Sequence, residues 1–189
     1  MRSSTMILAA MLAAASGVPA GAGERVYTEI DNMQSGKVKL CRTVEVAGNK
    51  EDPVVTWRCP TGPAGWPVGM TSADARVEVR FGRLVGPRGG AIDGLGGAFA
   101  DPYHTIEWRM KDGEPYAAIQ RYLMDSRQAI TVHRLNPDRT SCVAAVIAVE
   151  KGRDANNEAI RIADTIVPSY RCDKDSLITV GNVVAAAQQ

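Results

Sequence analysis

Apolar and polar residues alternate in several short segments of the chain. In residues 76–81 (RVEVRF) every second residue is apolar, and residues 104–110 (HTIEWRM) repeat this spacing. A period of two is typical of a strand with one buried and one wet face, and such strands belong to antiparallel sheets. The pattern therefore predicts an antiparallel sheet, in which we expect these two segments to pair with Glu78 opposite Arg109.

An Asp-Gly pair, Asp112-Gly113, follows the second of these segments. This dipeptide favours the tight turn of a β-hairpin, and centring the turn there sets Trp108 opposite Ala117. Three further strands are predicted, over residues 116–124, 128–135 and 142–150. The spacing of the first also fits a helix, and the turn favours a strand. The last is almost wholly apolar, so we expect it to be a central strand with both faces covered.

One helix is predicted, over residues 155–167. Its apolar residues recur every three or four positions, which keeps one face apolar. Asp154 or Asn156 is suited to cap its start, and Pro168 limits its end. Together these elements predict an α+β fold, in which an antiparallel β-sheet carries one C-terminal helix packed on it.

Residues 1–22 have the features of a secretory signal peptide. Arg2 is followed by an apolar run over residues 6–15 and by a small-residue cleavage site, Ala-Gly-Ala. The run is shorter than the ~20 residues that a membrane span needs. We therefore expect no membrane span, a periplasmic or secreted protein, and one α+β domain over residues 23–189.

Charge is balanced along the chain. The sequence has 22 basic and 21 acidic residues, a formal net charge of +1. A neutral chain lacks the positive field that attracts phosphate backbones, so nucleic acid is not expected as a partner. No motif calls for a cofactor, and we expect a monomer.

Four cysteines follow the leader: Cys41, Cys59, Cys142 and Cys172. An even number in an exported chain indicates disulfides. Three pairings are possible, and the expected one joins near neighbours, Cys41 to Cys59 and Cys142 to Cys172. The spacings do not match a zinc motif, so no metal site is predicted.

The segment WRCPTGPAGWP, residues 57–67, is the candidate binding loop. It combines two tryptophans with a cysteine and three prolines, and rigid loops with exposed aromatic residues are favoured at interfaces. Trp57 alternates with Val55 and is expected in the core, whereas Trp66 is expected at least partly in solvent. The candidate binding residues are Arg58, Pro63, Trp66 and Pro67.

Other segments offer weaker chemistry. His104 with Asp101 is the candidate pair for a general base in a small periplasmic hydrolase. An ordinary structural role is nevertheless favoured for both His104 and His133. The polar side of residues 76–81 is interpreted as a solvated strand face, with a charged recognition strip as the alternative. The Gly-rich residues 86–97 match no phosphate loop and are interpreted as a flexible connection.

Several blocks of the chain read WRCP and GWPV, ADARVEVRFG, PYAAIQRYL, SCVAAVIAVE and ANNEAIRIADTIVPSYRCDKD. These blocks resemble a group of secreted proteins of proteobacteria for which no activity is established. The resemblance covers most of residues 23–189. It implies export and one α+β domain, and it assigns no catalytic residue.

These observations favour a binding role over catalysis. We expect an exported, disulfide-bonded module that recognises an envelope or extracellular protein or a cell-wall saccharide, for example as an inhibitor of a secreted hydrolase. The alternatives are the hydrolase based on His104 and a structural component of the envelope.

Overall fold

A computed structural model describes residues 23–31, 40–51, 53–74, 76–86, 95, 99–124 and 127–183. The expectations for the leader and for most of the Gly-rich segment lie outside these residues. Leu95, within that segment, is described and is buried.

The described residues form strands and one α-helix. The strands are β1 Glu24–Glu29, β2 Arg42–Gly48, β3 Pro53–Arg58, β4 Val68–Ala73, β5 Arg76–Phe81, β6 Arg83–Leu84, β7 Asp101–Lys111, β8 Glu114–Met124, β9 Arg127–Leu135, β10 Thr140–Ala148 and β11 Ile178–Val180. The helix is α1, Ala155–Thr165, and short 3₁₀ turns lie at Pro63–Gly65 and Val167–Ser169.

The strands make two sheets where the sequence predicts one. The large sheet has the order β1-β7-β8-β9-β10-β11, with β6 also paired to β10, and the small sheet has the order β2-β3-β4-β5. The α+β class with one C-terminal helix is confirmed, and its single sheet is corrected to two.

The hairpin of the large sheet turns at Asp112-Gly113, as predicted. Both residues have positive φ, 53° and 80°, as a type I′ turn requires. The register beyond the turn differs from the expected one by one residue, because a bulge puts Trp108 opposite Ala118 instead of Ala117. The local turn signal does not reveal the extra residue of a bulge.

The helix covers one face of the large sheet. Asp154 caps its start by accepting a hydrogen bond from the backbone N–H of Asn157, at 3.1 Å. Its apolar face packs on β8, β9 and β10 through residues that include Ile162, which is fully buried. Every residue of β10 is buried, so the prediction of a central strand with both faces covered is confirmed.

The predicted pairing of Arg76–Phe81 with residues 104–110 is wrong. Strand β5 pairs with β4, and β7 pairs with β1 and β8. The sequence does not predict β4, because its residues VGMTSA alternate only weakly. Only two residues connect β4 to β5, so this local hairpin forms at a smaller cost in chain entropy than a pairing with the distant β7.

The small sheet packs against the other face of the large sheet. Phe81 of β5 meets Trp108 of β7 edge to face, with ring centroids 5.4 Å apart. The sequence predicts that the two segments carrying these residues pair within one sheet, whereas the residues meet across two stacked sheets. Between the sheets, the Tyr122 hydroxyl accepts a hydrogen bond from the Val79 backbone N–H at 3.0 Å.

Both predicted disulfides are present. Cys41 bonds to Cys59 and Cys142 bonds to Cys172. The first joins the segment before β2 to the end of β3, and the second joins the start of β10 to the segment after α1. Each closes a loop whose entropy in the unfolded chain corresponds to about 3–4 kcal/mol in the chain-entropy model.

Candidate functional site

Trp66, the expected binding anchor, is buried. Its exposed fraction is 1%, whereas Trp57, expected in the core, is 8% exposed. The prediction for Trp57 is confirmed, and the predicted exposure of Trp66 is wrong. The guanidinium of Arg139 lies over the Trp66 ring, 4.7 Å from its centroid, so this ring is not available to a partner.

The binding loop folds back on itself, which explains this burial. The backbone N–H of Gly62 donates to the Trp66 carbonyl at 2.8 Å, and the Trp66 N–H donates to the Pro63 carbonyl at 3.1 Å. A Cβ at Gly62 would lie 2.3 Å from the Trp108 ring. Glycine there lets the loop close onto the core, and Pro63 belongs to the short 3₁₀ turn within the loop.

Two of the four candidate binding residues, Arg58 and Pro67, line one surface groove. The groove has a volume of about 280 Å³. It lies on the outer face of the small sheet, the face turned away from the large sheet. Because side chains alternate along a strand and Trp57, Met70 and Val79 point into the core, their neighbours point outward.

A row of arginines crosses this outer face. Arg42 on β2 is directly opposite Arg58 on β3, Arg58 is opposite Gly69 on β4, and Gly69 is opposite Arg80 on β5. We call Arg42, Arg58 and Arg80 the arginine row. Arg58 and Arg80 also line the groove, which we call the arginine groove.

Gly69 keeps the groove open. It contributes no side chain between Arg58 and Arg80, whose strands are about 9–10 Å apart at the usual strand spacing. A Cβ at Gly69 would lie 3.0 Å from the backbone carbonyl oxygen of Trp57, so a larger residue would need this neighbouring backbone to move by a few tenths of an ångström. The arginines thus flank an open floor that a ligand group can occupy.

The positive charge of the row is only partly neutralised. Arg80 is 3.6 Å from Glu78. Among the described residues, no ion pair or hydrogen bond engages the side chains of Arg42 and Arg58. Like charges directly opposite each other on neighbouring strands destabilise a sheet. The arginine row therefore keeps an unfavourable interaction that an anion would relieve.

A larger groove, about 410 Å³, lies beside the Cys142–Cys172 disulfide. It is also lined by arginines, but two of them have partners within the chain. Arg134 donates to the Val167 carbonyl and to Asn136, and Arg171 pairs with Asp175 at 3.0 Å. Arg134 fixes the 3₁₀ turn that follows the helix, and Arg171 is paired within the segment beyond it.

The large sheet carries a buried charge cluster that is fully partnered. Arg109 is 1% exposed and makes two hydrogen bonds to Asp164 of the helix, at 2.8 and 2.7 Å. Burial alone lowers the pKa of Arg109, but its hydrogen bonds and charge interaction with Asp164 raise the pKa above its usual value. Burial, with Asp164, raises the pKa of Tyr116 to about 12. Both groups keep their ordinary charge, so this cluster ties the helix to the sheet.

The candidate hydrolase pair is not assembled. No hydrogen bond or ion pair joins Asp101 to His104, and the His104 ring packs on Tyr103 with centroids 4.1 Å apart. His133 is fully buried, 4.7 Å from the Phe81 ring centroid. Burial lowers the pKa of His133 to about 3, so it is neutral and belongs to the core.

The outward orientation of Arg80 can be predicted from the sequence, since the alternation in residues 76–81 places it on the polar strand face. The positions of Arg42 and Gly69 in the row cannot, because they depend on which strands pair.

Among the described residues, no group of three or more His, Cys, Asp or Glu side chains is placed to hold a metal ion. In the same part of the chain, every helix is too short or too polar to cross a membrane. Comparison with protein-family models, curated proteins and solved structures finds no match to this chain.

Proposed function

We propose that the protein is an exported binding module that recognises an acidic segment of another envelope or extracellular protein in the arginine groove. The observation that supports this most strongly is the geometry of Arg58, Gly69 and Arg80. Two outward guanidinium groups flank a floor without a side chain. Arginine recognises carboxylates through paired hydrogen bonds.

A rigid floor supports the proposal. The backbone beneath the groove belongs to three paired strands, and the Cys41–Cys59 disulfide closes the end of β3 that carries Arg58. A pre-organised site loses little conformational entropy when a ligand binds. The two disulfides also support a protein that folds in an oxidising compartment.

The lining of the groove favours an extended peptide over a small anion. Besides the arginines, Thr56, Thr61 and Pro67 line it, so hydroxyl groups and an apolar surface lie beside the positive charges. A segment with a carboxylate and a small apolar neighbour matches this mixture. Pro67 thereby keeps the binding role expected for it, whereas Trp66 is buried in the core.

Affinity capture from an envelope extract tests the proposal. The wild-type protein is compared with an Arg58→Thr/Arg80→Thr variant and with an Arg153→Thr/Arg161→Thr control. The control removes the same charge from arginines near and on the helix, which pair with Glu150 and Glu158. We expect the wild type and the control to capture the same protein, and the Arg58→Thr/Arg80→Thr variant to capture none of it. The amount captured should fall at high salt.

Equal capture by all three proteins, or capture of no protein, contradicts the proposal. A parallel sedimentation assay with purified cell-wall saccharide separates the two partner classes. If the saccharide binds in an arginine-dependent way and no protein is captured, the ligand of the groove is a saccharide and not an acidic protein segment.

A further inference from the structure

Strand β2 is the most exposed element of the described structure. All seven of its residues are exposed, and it lies at the edge of the small sheet. Three of the large apolar side chains at the surface fall in or next to it: Leu40 is 49% exposed, Val44 47% and Val46 66%. Exposed edge strands tend to pair with another chain unless charges or proline block them.

A bulge gives β2 an unusual distribution of charge. Arg42 is opposite Arg58 and Glu45 is opposite Thr56, with the register shift between them. Arg58 and Thr56 are two residues apart on β3 and share the outer face. Arg42 and Glu45 therefore also share that face, although they are three residues apart, because the bulge adds one residue.

We infer that β2 pairs antiparallel with β2 of a second copy of this chain. In such a two-fold pair, each contact occurs twice with the roles exchanged. Two registers of this pair place residues on the outer face of one β2 opposite residues on the outer face of the other, on both sides of the bulge. In one register Arg42 lies opposite Glu45 of the second copy, and in the other it lies opposite Ala47. Only the first sets opposite charges against each other, and it does so twice.

The proposed pair also accounts for the arginine row. Arg42 has Arg58 on one side, and the second copy would supply Glu45 on the other. Within the described residues of one chain, no ion pair engages Glu45. Pairing would form a continuous sheet through both small sheets and leave Arg58 and Arg80 open, so it goes beyond the proposed ligand binding and does not depend on it.

The predicted association is weak. One short strand pair buries much less than the ~1,000 Å² of a stable interface, so we expect a dissociation constant of roughly 10 µM to 1 mM. This departs from the monomer expected from the sequence. The pattern of residues 42–48 does not show which strand is an edge.

Sedimentation over about 10 µM to 1 mM protein tests the inference. We expect a monomer–dimer equilibrium that Arg42→Glu and Glu45→Arg each weaken about 10-fold or more, since each places like charges opposite each other twice. The double variant exchanges the two charges and should recover association to within about 3-fold of the wild type. An exchange on the helix, Glu158→Arg/Arg161→Glu, is the control and should change nothing.

A wild type that stays monomeric over this range overturns the inference and leaves the β2 edge to a different chain. A dimer that the single reversals do not weaken overturns it as well, because another surface then holds the copies together. A double variant that fails to recover excludes this register. Arg42, Glu45 and Arg161 are exposed and Glu158 is half-buried, and circular dichroism checks that each variant is folded.

Discussion

Arg109 on the large sheet and Arg58 on the small sheet both point away from the core between the sheets, but they differ in their surroundings. The helix covers Arg109, and Asp164 and Glu107 neutralise it. Arg58 is exposed beside Arg42, with no described carboxylate paired to either. A covered charge must be partnered for the fold to be stable, whereas an exposed cluster of like charge is tolerated and remains available to a ligand. The contrast separates the structural arginines from the candidate binding arginines.

The largest effect is expected in the loop of residues 57–67. Trp66→Ala should lower the free energy of unfolding by about 3–5 kcal/mol, the usual cost of deleting a buried aromatic side chain. Trp57→Ala should cost a similar amount, because both rings are in the same core cluster. Equilibrium denaturation measures both. A neutral Trp66→Ala would mean that the ring is at the surface.

Breaking the charge cluster on the large sheet should cost somewhat less. Arg109→Ala leaves Asp164 without its partner, and we expect a loss of about 2–4 kcal/mol, below the range for fully buried pairs because Asp164 is 18% exposed. The double variant Arg109→Met/Asp164→Leu should recover part of this loss, since it leaves no unpaired charge. Denaturation of the two variants decides this, and equal losses would contradict the account.

His133 predicts an acid-sensitive core. Its pKa of about 3 in the folded protein lies below the ordinary value of about 6.5 in the unfolded chain. The unfolded state therefore binds more protons between these values, and stability falls as the pH drops below about 6.5.

The expected loss between about pH 7 and pH 5 is roughly 2 kcal/mol from this residue. Denaturation of the wild type and of His133→Leu at both pH values measures it. The variant retains His104 and every carboxylate, so the difference in pH dependence isolates His133. A variant with the same pH dependence as the wild type would contradict this interpretation.

The smallest effect is expected in the arginine row. Arg58→Thr removes the repulsion with Arg42 and introduces a residue that favours strands. We expect stability unchanged or raised by up to about 0.5 kcal/mol. Thermal and denaturant unfolding measure this change. A loss above about 1 kcal/mol would give Arg58 a structural role like that of Arg109 and remove the contrast between the sheets.

The sequence patterns predict local structure correctly in several places. The turn at Asp112-Gly113, the helix that Asp154 caps and the two near-neighbour disulfides follow from short-range chemistry, and all are present in the structure. Alternation also identifies which residues of Arg76–Phe81 face the core. It does not identify what they pack against, so it predicts a pairing within one sheet where the structure has a contact across two.

The candidate site was harder to predict for the same reason. The loop sequence predicts Arg58 and Pro67 as binding residues, but the groove also needs Arg80 and Gly69, which strand pairing brings to them. The sequence predicts Trp66 at the surface because no periodic pattern includes it. Its burial results from hydrogen bonds within the loop and from the ring contact with Arg139, and no pattern of apolar spacing reports either.

Ligand-induced stabilisation tests the central claim, that the arginine groove binds acidic protein segments, most directly. Thermal unfolding of the wild type and of Arg58→Thr/Arg80→Thr is followed as an oligoglutamate peptide is added at constant ionic strength. A ligand that binds only the folded state raises stability in proportion to RT ln(1 + [L]/Kd). The account predicts a peptide-dependent rise in Tm for the wild type that the variant lacks. An equal rise in both proteins, or no rise in either, would contradict it.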